Sequence, residues 1–178
     1  MTQPVVARLH QLLPPPVSTG DGVDWERLAD TAQLELPMDY REFVELYGGG
    51  EINEYLAVST PPVQGSPYGC LLDRLDSTFS DRDWQELDAV LGGQGVPPLL
   101  PFADPASSDV AFWLRKGAPD SWRVATFRRQ AQYGANRWTA FDGGMAQFLV
   151  DALTDVVDPF SERVSGPGPH MFVNWREM

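Results

Sequence analysis

Apolar side chains recur every three to four residues in five segments, which is the spacing of a helix that buries one face. The predicted helices cover residues 4–13, 25–33, 37–47, 81–91 and 145–156. Asp24 and Ser80 suit N-cap positions, and Thr2 can cap the first helix. Gly48 is predicted to end the third helix in a left-handed conformation. Asp142 stands at the predicted start of the last helix.

Shorter apolar runs with two-residue alternation predict strands. They cover residues 52–59, 110–115, 122–128 and 137–141, and residues 171–175 suit a final edge strand. The run 110–115 is apolar on both faces, which is typical of a central strand. Short turns rich in Gly, Pro and Asp join the strands between residues 110 and 141, so we expect antiparallel pairing. Helices followed by strands indicate an α+β fold.

The charge is uneven along the chain. Its 178 residues hold 13 basic and 25 acidic side chains, a net charge of −12. Residues 1–112 carry −13, residues 113–141 carry +5, and residues 142–178 carry −4. An acidic protein is repelled by nucleic acids and anionic membranes and attracted to basic partners, although net negative charge also simply keeps a protein soluble.

The basic segment 113–141 interleaves arginine with aromatic residues, a combination that can bind single-stranded nucleic acid. Strand alternation places Arg123 and Arg129 on one face and Arg128 on the other, which divides the basic surface. We therefore favour pairing of these arginines with the acidic remainder of the same chain, and we expect no nucleic-acid partner.

Residues typical of catalysis or metal binding are few. Cys70, His10 and His170 lie far apart, without zinc-ligand spacing. We interpret Cys70 as a small buried residue and His10 as a surface residue. The glycine runs at 48–50 and 92–95 lack the spacing of phosphate-binding loops and suit helix ends. We therefore expect no catalytic residue, no metal and no cofactor.

The location of the protein also follows as an expectation. One cysteine cannot form an internal disulfide, and residues 1–4 lack the basic and apolar regions of a signal peptide. No apolar run approaches the length of about 20 residues that a transmembrane helix needs. We expect a cytoplasmic protein without a membrane partner, and the sequence leaves the oligomeric state open.

One block of sequence suggests a family. Residues Leu36-Pro37-Met38-Asp39-Tyr40-Arg41-Glu42-Phe43, followed by Tyr47-Gly48-Gly49-Gly50, resemble the SUKH superfamily, the Smi/Knr-type group of yeast cell-wall regulators and bacterial immunity proteins. The resemblance continues through residues 51–58, the strand entry at 99–104 and the helix at 145–153, and covers about residues 23–156. Each residue of the block also has a structural explanation, so the block argues for a fold more than for an activity.

The resemblance implies a SUKH-like α+β domain, with an antiparallel sheet packed against N-terminal and C-terminal helices. We expect this domain over residues 23–158, an N-terminal helix with a Pro-rich linker over residues 1–22, and a C-terminal tail with an edge strand over residues 159–178.

The resemblance also implies a noncatalytic protein-binding module, foremost a bacterial immunity protein that neutralises a toxin such as a nuclease. The alternatives are a regulatory scaffold that binds peptides or disordered partners, and an enzyme of unrecognised type. Charge and expected exposure single out partner-binding candidates: Glu51, Glu54, Asp73 and Asp76. The carboxylate pairs Glu51/Glu54 and Asp73/Asp76 could also hold a hard cation, but the spacing of a calcium loop is absent, so a solvated acidic surface is the preferred interpretation.

Overall fold

A computed structural model of the chain describes residues 3–18, 20–74, 79–165 and 169–178. Within these ranges the chain forms five α-helices and a seven-stranded antiparallel sheet. The helices are α1 (Pro4–Leu12), α2 (Trp25–Ala32), α3 (Met38–Tyr47), α4 (Asp81–Val90) and α5 (Met145–Leu153). The strands are β1 (Gly50–Ile52), β2 (Leu56–Val58), β3 (Leu99–Pro105), β4 (Val110–Leu114), β5 (Arg123–Phe127), β6 (Trp138–Phe141) and β7 (Phe172–Asn174). The predicted α+β class is confirmed.

The strand order is β6-β5-β4-β3-β2-β1-β7, and every neighbouring pair is antiparallel. Strand β7, the last strand of the chain, lies at one edge of the sheet, as predicted. Strand β4 is fully buried along its length, which confirms the expectation of an interior strand.

The main core lies between the sheet and helices α1, α3 and α5. Trp113 and Phe102 project from the sheet into this core, where Tyr40 of α3 and Phe148 of α5 meet them edge-on. The predicted stripe of α3 is entirely buried. Helix α2 packs against this core with a partly buried face, and its predicted cap is confirmed because Asp24 accepts a hydrogen bond from Arg27 N.

A second core lies on the opposite face, under α4. Leu87 of α4 packs with Phe112, Phe127 and Trp138 of the sheet. Ser80 is the N-cap of α4, as predicted, and forms a capping box with Asp83, because the Ser80 hydroxyl accepts from Asp83 N while the Asp83 carboxylate accepts from Ser80 N. The sheet therefore has helices on both faces of the β3–β6 half.

The segment predicted as one strand, residues 52–59, is instead a hairpin. Its strands β1 and β2 pair Ile52 with Leu56, and Asn53 and Glu54 form the turn with φ near +53°. The three-residue loop keeps Ile52 and Leu56 four apart, so both still face the core and the apolar alternation continues through the turn. For this reason the pattern could not reveal the hairpin.

Other boundaries differ from prediction as well. Helix α5 ends at Leu153, so Val156 lies beyond it and is 67% exposed. Gly48 has the predicted positive φ of 70°, but its ψ of −164° is extended rather than left-handed helical. The pattern reading of strands omitted β3, where the family resemblance had placed a strand entry. Residues 72–74, in the segment without a clear pattern, form a short 3₁₀ helix.

Both terminal segments contribute to the main core. Leu9 and Leu13 from the N-terminal helix region and Phe160 and Phe172 from the C-terminal segment are buried in it. The division of the chain at residues 22 and 158 stays a prediction. The predicted N-cap Thr2 lies outside the described residues.

Candidate functional site

The glycines that carry the family resemblance form a junction between segments. A Cβ on Gly48 would stand 2.6 Å from Asn174 Nδ2, one on Gly49 would stand 2.6 Å from Tyr68 Cβ, and one on Gly50 would stand 2.2 Å from the Val173 carbonyl. These approaches leave no room for a side chain. The three glycines therefore have a structural role: they let the hairpin, the loop around Tyr68 and the C-terminal strand approach one another closely. We call Gly48, Gly49 and Gly50 the glycine junction.

Asp21 holds this glycine junction together. Its carboxylate is 1% exposed and accepts hydrogen bonds from Gly49 N at 2.8 Å and from Trp175 Nε1 at 3.1 Å. It also forms an ion pair with Arg176 at 2.7 Å. The Asp21 carboxylate therefore stabilises the fold through these hydrogen bonds and this ion pair.

Asp109 and Asp39 are buried for similar reasons. Asp109 accepts from Arg129 N, Ser107 Oγ and Ser161 N at 2.7–3.1 Å. Asp39 accepts from Tyr40 N and from Ala146 N, and so serves the first turn of α5 from another helix. Burial raises the pKa of Asp39, although the two backbone hydrogen bonds oppose that shift. The predicted position of Asp142 at this helix start is corrected, because Gly144 is the N-cap and Asp142 pairs with Arg123.

Half-buried acidic side chains lie on the outer face of the sheet, beside the part that α4 covers. Strand register aligns Val173, Glu51, Ala57 and Asp104 in one row across β7, β1, β2 and β3. Adjacent strands are about 4.8 Å apart, so the Cα atoms of Glu51 and Asp104 are roughly 10 Å apart. We call these four residues, together with Tyr68, the acidic strip.

Tyr68 is the polar centre of the acidic strip. Its hydroxyl donates a 2.9 Å hydrogen bond to Glu51 Oε1. Burial raises the pKa of Tyr68, and the neighbouring Glu51 and Asp104 raise it further because a phenolate would be repelled by both carboxylates. The strip therefore offers two carboxylates and a neutral hydroxyl that stays protonated at neutral pH.

The predicted partner-binding residues do not form one cluster. Glu51 belongs to the acidic strip but is half-buried rather than exposed. Glu54 is exposed at the tip of the β1–β2 hairpin. Asp73 is also exposed, but its segment hydrogen-bonds to Thr60, beyond the opposite end of β2. Asp76 lies outside the described residues.

Asp104 and Tyr68 were absent from the sequence prediction. Asp104 reaches the strip only because β3 pairs with β2 in a particular register, and Tyr68 because its loop folds back over Gly49. The resemblance placed Asp104 at a strand entry, which was the one available signal.

Within the described residues, three of the six basic residues in the segment 113–141, namely Arg123, Arg128 and Arg137, pair with acidic residues of the same chain, so the expected internal pairing is confirmed for half of them. Arg123 meets Asp142 at 2.8 Å, and Arg128 bonds to the carbonyls of Asp158 and Pro159. Arg137 contacts the carboxylate of Asp83 and lies near that of Glu86. Burial opposes ionisation of Asp83, but the Ser80 hydrogen bonds and Arg137 outweigh it and lower the pKa of this carboxyl.

The histidine and cysteine side chains considered as metal ligands do not come together in the described part of the chain. His10 is half-buried, contrary to its expected surface position, with its ring edge-on to Tyr47 at 5.6 Å. Cys70, expected to be buried, is only half-buried, with its sulfur 3.7 Å from Ser59 Oγ. Among the described residues, no three His, Cys, Asp or Glu side chains are arranged to hold a metal ion. In the same part of the chain, no helix combines the length and apolar character that spanning a bilayer requires.

Comparison with known proteins gave no match, whether to models of protein families, to curated proteins or to solved structures.

Proposed function

We propose that this chain is a noncatalytic cytoplasmic module that binds a basic protein partner through the acidic strip and the neighbouring hairpin tip. The proposal includes the SUKH-type role, that of a bacterial immunity protein which neutralises a toxin such as a nuclease. The observation that carries it is the juxtaposition of the half-buried Glu51 and Asp104 on the outer face of the sheet beside the part that α4 covers, with exposed Glu54 near them, in a chain of net charge −12.

The chemistry fits a partner with a basic cleft. A nuclease binds an anionic backbone with lysine and arginine, and an acidic protein can cover the same groups. Charge complementarity of this kind accelerates association and selects the partner. The rigid sheet presents the carboxylates at fixed spacing, so little ordering is needed on binding.

Support also comes from the division of labour among the carboxylates. The buried ones, Asp21, Asp39, Asp83 and Asp109, all accept hydrogen bonds within the fold. The exposed Glu54 and Asp73 are held at the surface by short structured turns. Glu54 and Asp73 therefore present their negative charge to solvent, whereas the four buried carboxylates are used within the fold.

The experiment is affinity capture from the native host with immobilised wild-type chain, read by quantitative mass spectrometry. Three single variants accompany it: Glu54→Lys, Asp73→Lys and the control Glu35→Lys. Each changes the net charge equally, and Glu35 is exposed in the loop between α2 and α3.

We expect one basic partner to be enriched on the wild type and on Glu35→Lys, and to be reduced on Glu54→Lys. Asp73 lies away from the strip, so the charge reversal in Asp73→Lys distinguishes two cases. It should leave capture unchanged if the contact is local to the strip, and reduce capture if a broad acidic surface binds the partner. Equal losses with Glu54→Lys and Glu35→Lys would refute the strip as the binding surface, since net charge alone would then explain the capture.

A second candidate function is the regulatory scaffold, favoured by the open edge of β6. This strand pairs only with β5 among the described strands, and the Arg128 N to Arg137 O hydrogen bond fixes the alternation. The N–H and C=O of Ala140 therefore point away from the sheet, where an extended peptide can add as a strand. Several partners of modest affinity, lost in Ala140→Pro, would support this role, whereas one partner retained by that variant would contradict it.

A further inference from the structure

A small cleft lies at one end of the β4–β5 hairpin, where the loop after α4 faces the turn after β4. Its floor is apolar, with Leu91, Pro97 and Leu114, and its rim carries Lys116, Arg123 and Ser121. The volume is about 150 Å³. A cavity of this volume admits one benzene ring.

Both rim cations are available to a ligand. Lys116, the single lysine of the chain, is exposed, and its ammonium has no hydrogen-bond or ion-pair partner in the part of the chain that the structure describes. Arg123 pairs with Asp142, but the two side chains are 47% and 94% exposed. A pair so open to water contributes little and can yield to a competing anion.

The walls of this cleft are fixed by hydrogen bonds of the backbone and of two side chains. Arg115 N donates to Pro98 O at 3.0 Å, and Gly95 N donates to the Asp88 carboxylate at 2.8 Å. Trp122 Nε1 donates to Gly117 O at 3.2 Å. These bonds hold both loops in place, so the cleft exists before a ligand arrives.

We propose that this cleft binds a small aromatic carboxylate, with the ring on the Leu91–Leu114 floor and the carboxylate between Lys116 and Arg123. An anion without an apolar part should bind weakly, because exposed charge pairs contribute little and such an anion buries no apolar surface against the floor. The rim selects against a neutral ring of the same shape, because an amide forms no ion pair with the two cations. The site is separate from the acidic strip and independent of the proposed function.

The test is an NMR titration of the full-length chain, following backbone amide shifts. Benzoate is compared with benzamide, its neutral analogue, with inorganic phosphate, and with the peptide Gly-Gly-Phe. We expect benzoate to shift the amides of Gly95, Lys116 and Ser121 with a Kd of about 1–10 mM, as suits nine non-hydrogen atoms. Benzamide and phosphate should produce no saturable shift there.

Variants assign the two cations. Lys116→Gln and Arg123→Gln should each weaken benzoate binding by about threefold to fivefold, as suits exposed charge pairs. Arg163→Gln is the matched control, because this exposed arginine follows Ser161, which bonds to Asp109 at the opposite end of β4. It should leave the Kd unchanged.

Three results would overturn the proposal. Benzamide binding as tightly as benzoate would remove the role of the cations. Unchanged affinity in both Lys116→Gln and Arg123→Gln would do the same. Tighter binding of Gly-Gly-Phe than of benzoate would assign the cleft to a peptide terminus instead of a small molecule.

Discussion

At the scale of single residues, the glycine junction shows both the reach and the limit of the sequence. The position of Gly48 after the apolar stripe correctly predicts where α3 ends. Its extended ψ and its contact with Asn174 follow from the C-terminal strand, which is 126 positions further along the chain and pairs with β1. A local sequence pattern cannot predict a contact with a residue so far along the chain.

Replacing Gly48 with alanine should destabilise the protein strongly. The positive φ of 70° is unfavourable for alanine, and the added Cβ would also clash with Asn174 Nδ2. We expect a loss of about 3 kcal/mol or more in the free energy of unfolding, measured with urea.

Gly92→Ala is the matched control for this substitution. Gly92 also has a positive φ, 84°, but nothing lies within 4 Å of its added Cβ. We expect a loss of about 1 kcal/mol from backbone strain alone. Equal losses for the two variants would contradict the steric role given to the junction.

At the scale of elements, the helices were predictable because each carries its own signal. The α4 capping box is contained in the residues Ser80 to Asp83, and its apolar stripe is regular. The β1–β2 hairpin was not predictable, because its loop preserves the alternation and only Asn53 marks the turn. Only part of the acidic strip was predictable. Glu51 stands in a local motif, whereas the position of Asp104 beside it depends on strand register.

The link between α4 and the sheet should depend on pH through Asp83. Its pKa is lowered in the folded protein, so it stabilises the fold at pH values above the unfolded value near 3.8, and this contribution is lost as the pH falls through the folded pKa. In urea unfolding, Asp83→Asn should lose about 1–3 kcal/mol at pH 7.

The pH profile separates this role from simple packing. The difference between wild type and Asp83→Asn should shrink as the pH is lowered below 3.8. Asp81→Asn, which alters an exposed carboxylate in the same helical turn, should show a much smaller difference at pH 7. A difference for Asp83→Asn that stays constant down to pH 2 would exclude the ion pair with Arg137 as its origin.

At the scale of the whole molecule, the segment before α2 and the C-terminal segment meet at one place. Asp21 joins the glycine junction to Trp175 and Arg176, and strand β7 completes the sheet beside β1. Terminal segments that add a strand and a helix with one buried face to the core should unfold together with it. Charge totals predicted an acidic surface, but its location required the strand order.

Two buried tyrosines, Tyr40 and Tyr47, and two half-buried ones, Tyr55 and Tyr68, predict how the whole fold responds to alkali. Burial raises the pKa of Tyr40, Tyr47, Tyr55 and Tyr68. Their unfolded value is 10.0, so the stability they contribute is present below pH 10 and is lost as the pH rises beyond it.

Absorbance at 295 nm, which reports phenolate, should therefore rise together with the loss of near-ultraviolet circular dichroism. In Tyr40→Phe, which lacks the 2.8 Å hydrogen bond to Ser59 O, one phenolate should be missing from that cooperative step. Ionisation of all five tyrosines near pH 10 in a still-folded protein would contradict the raised pKa of these four.

The most direct test of the central claim is the association rate constant with the captured partner, measured by stopped-flow fluorescence across salt concentrations. For binding through the acidic strip, we expect the wild-type rate to fall by about tenfold or more between roughly 20 and 500 mM salt. At low salt Glu54→Lys should associate about threefold more slowly, whereas Glu35→Lys should match the wild type. An association rate that is insensitive to salt, and equal for the wild type and Glu54→Lys, would contradict recognition of a basic partner through this surface.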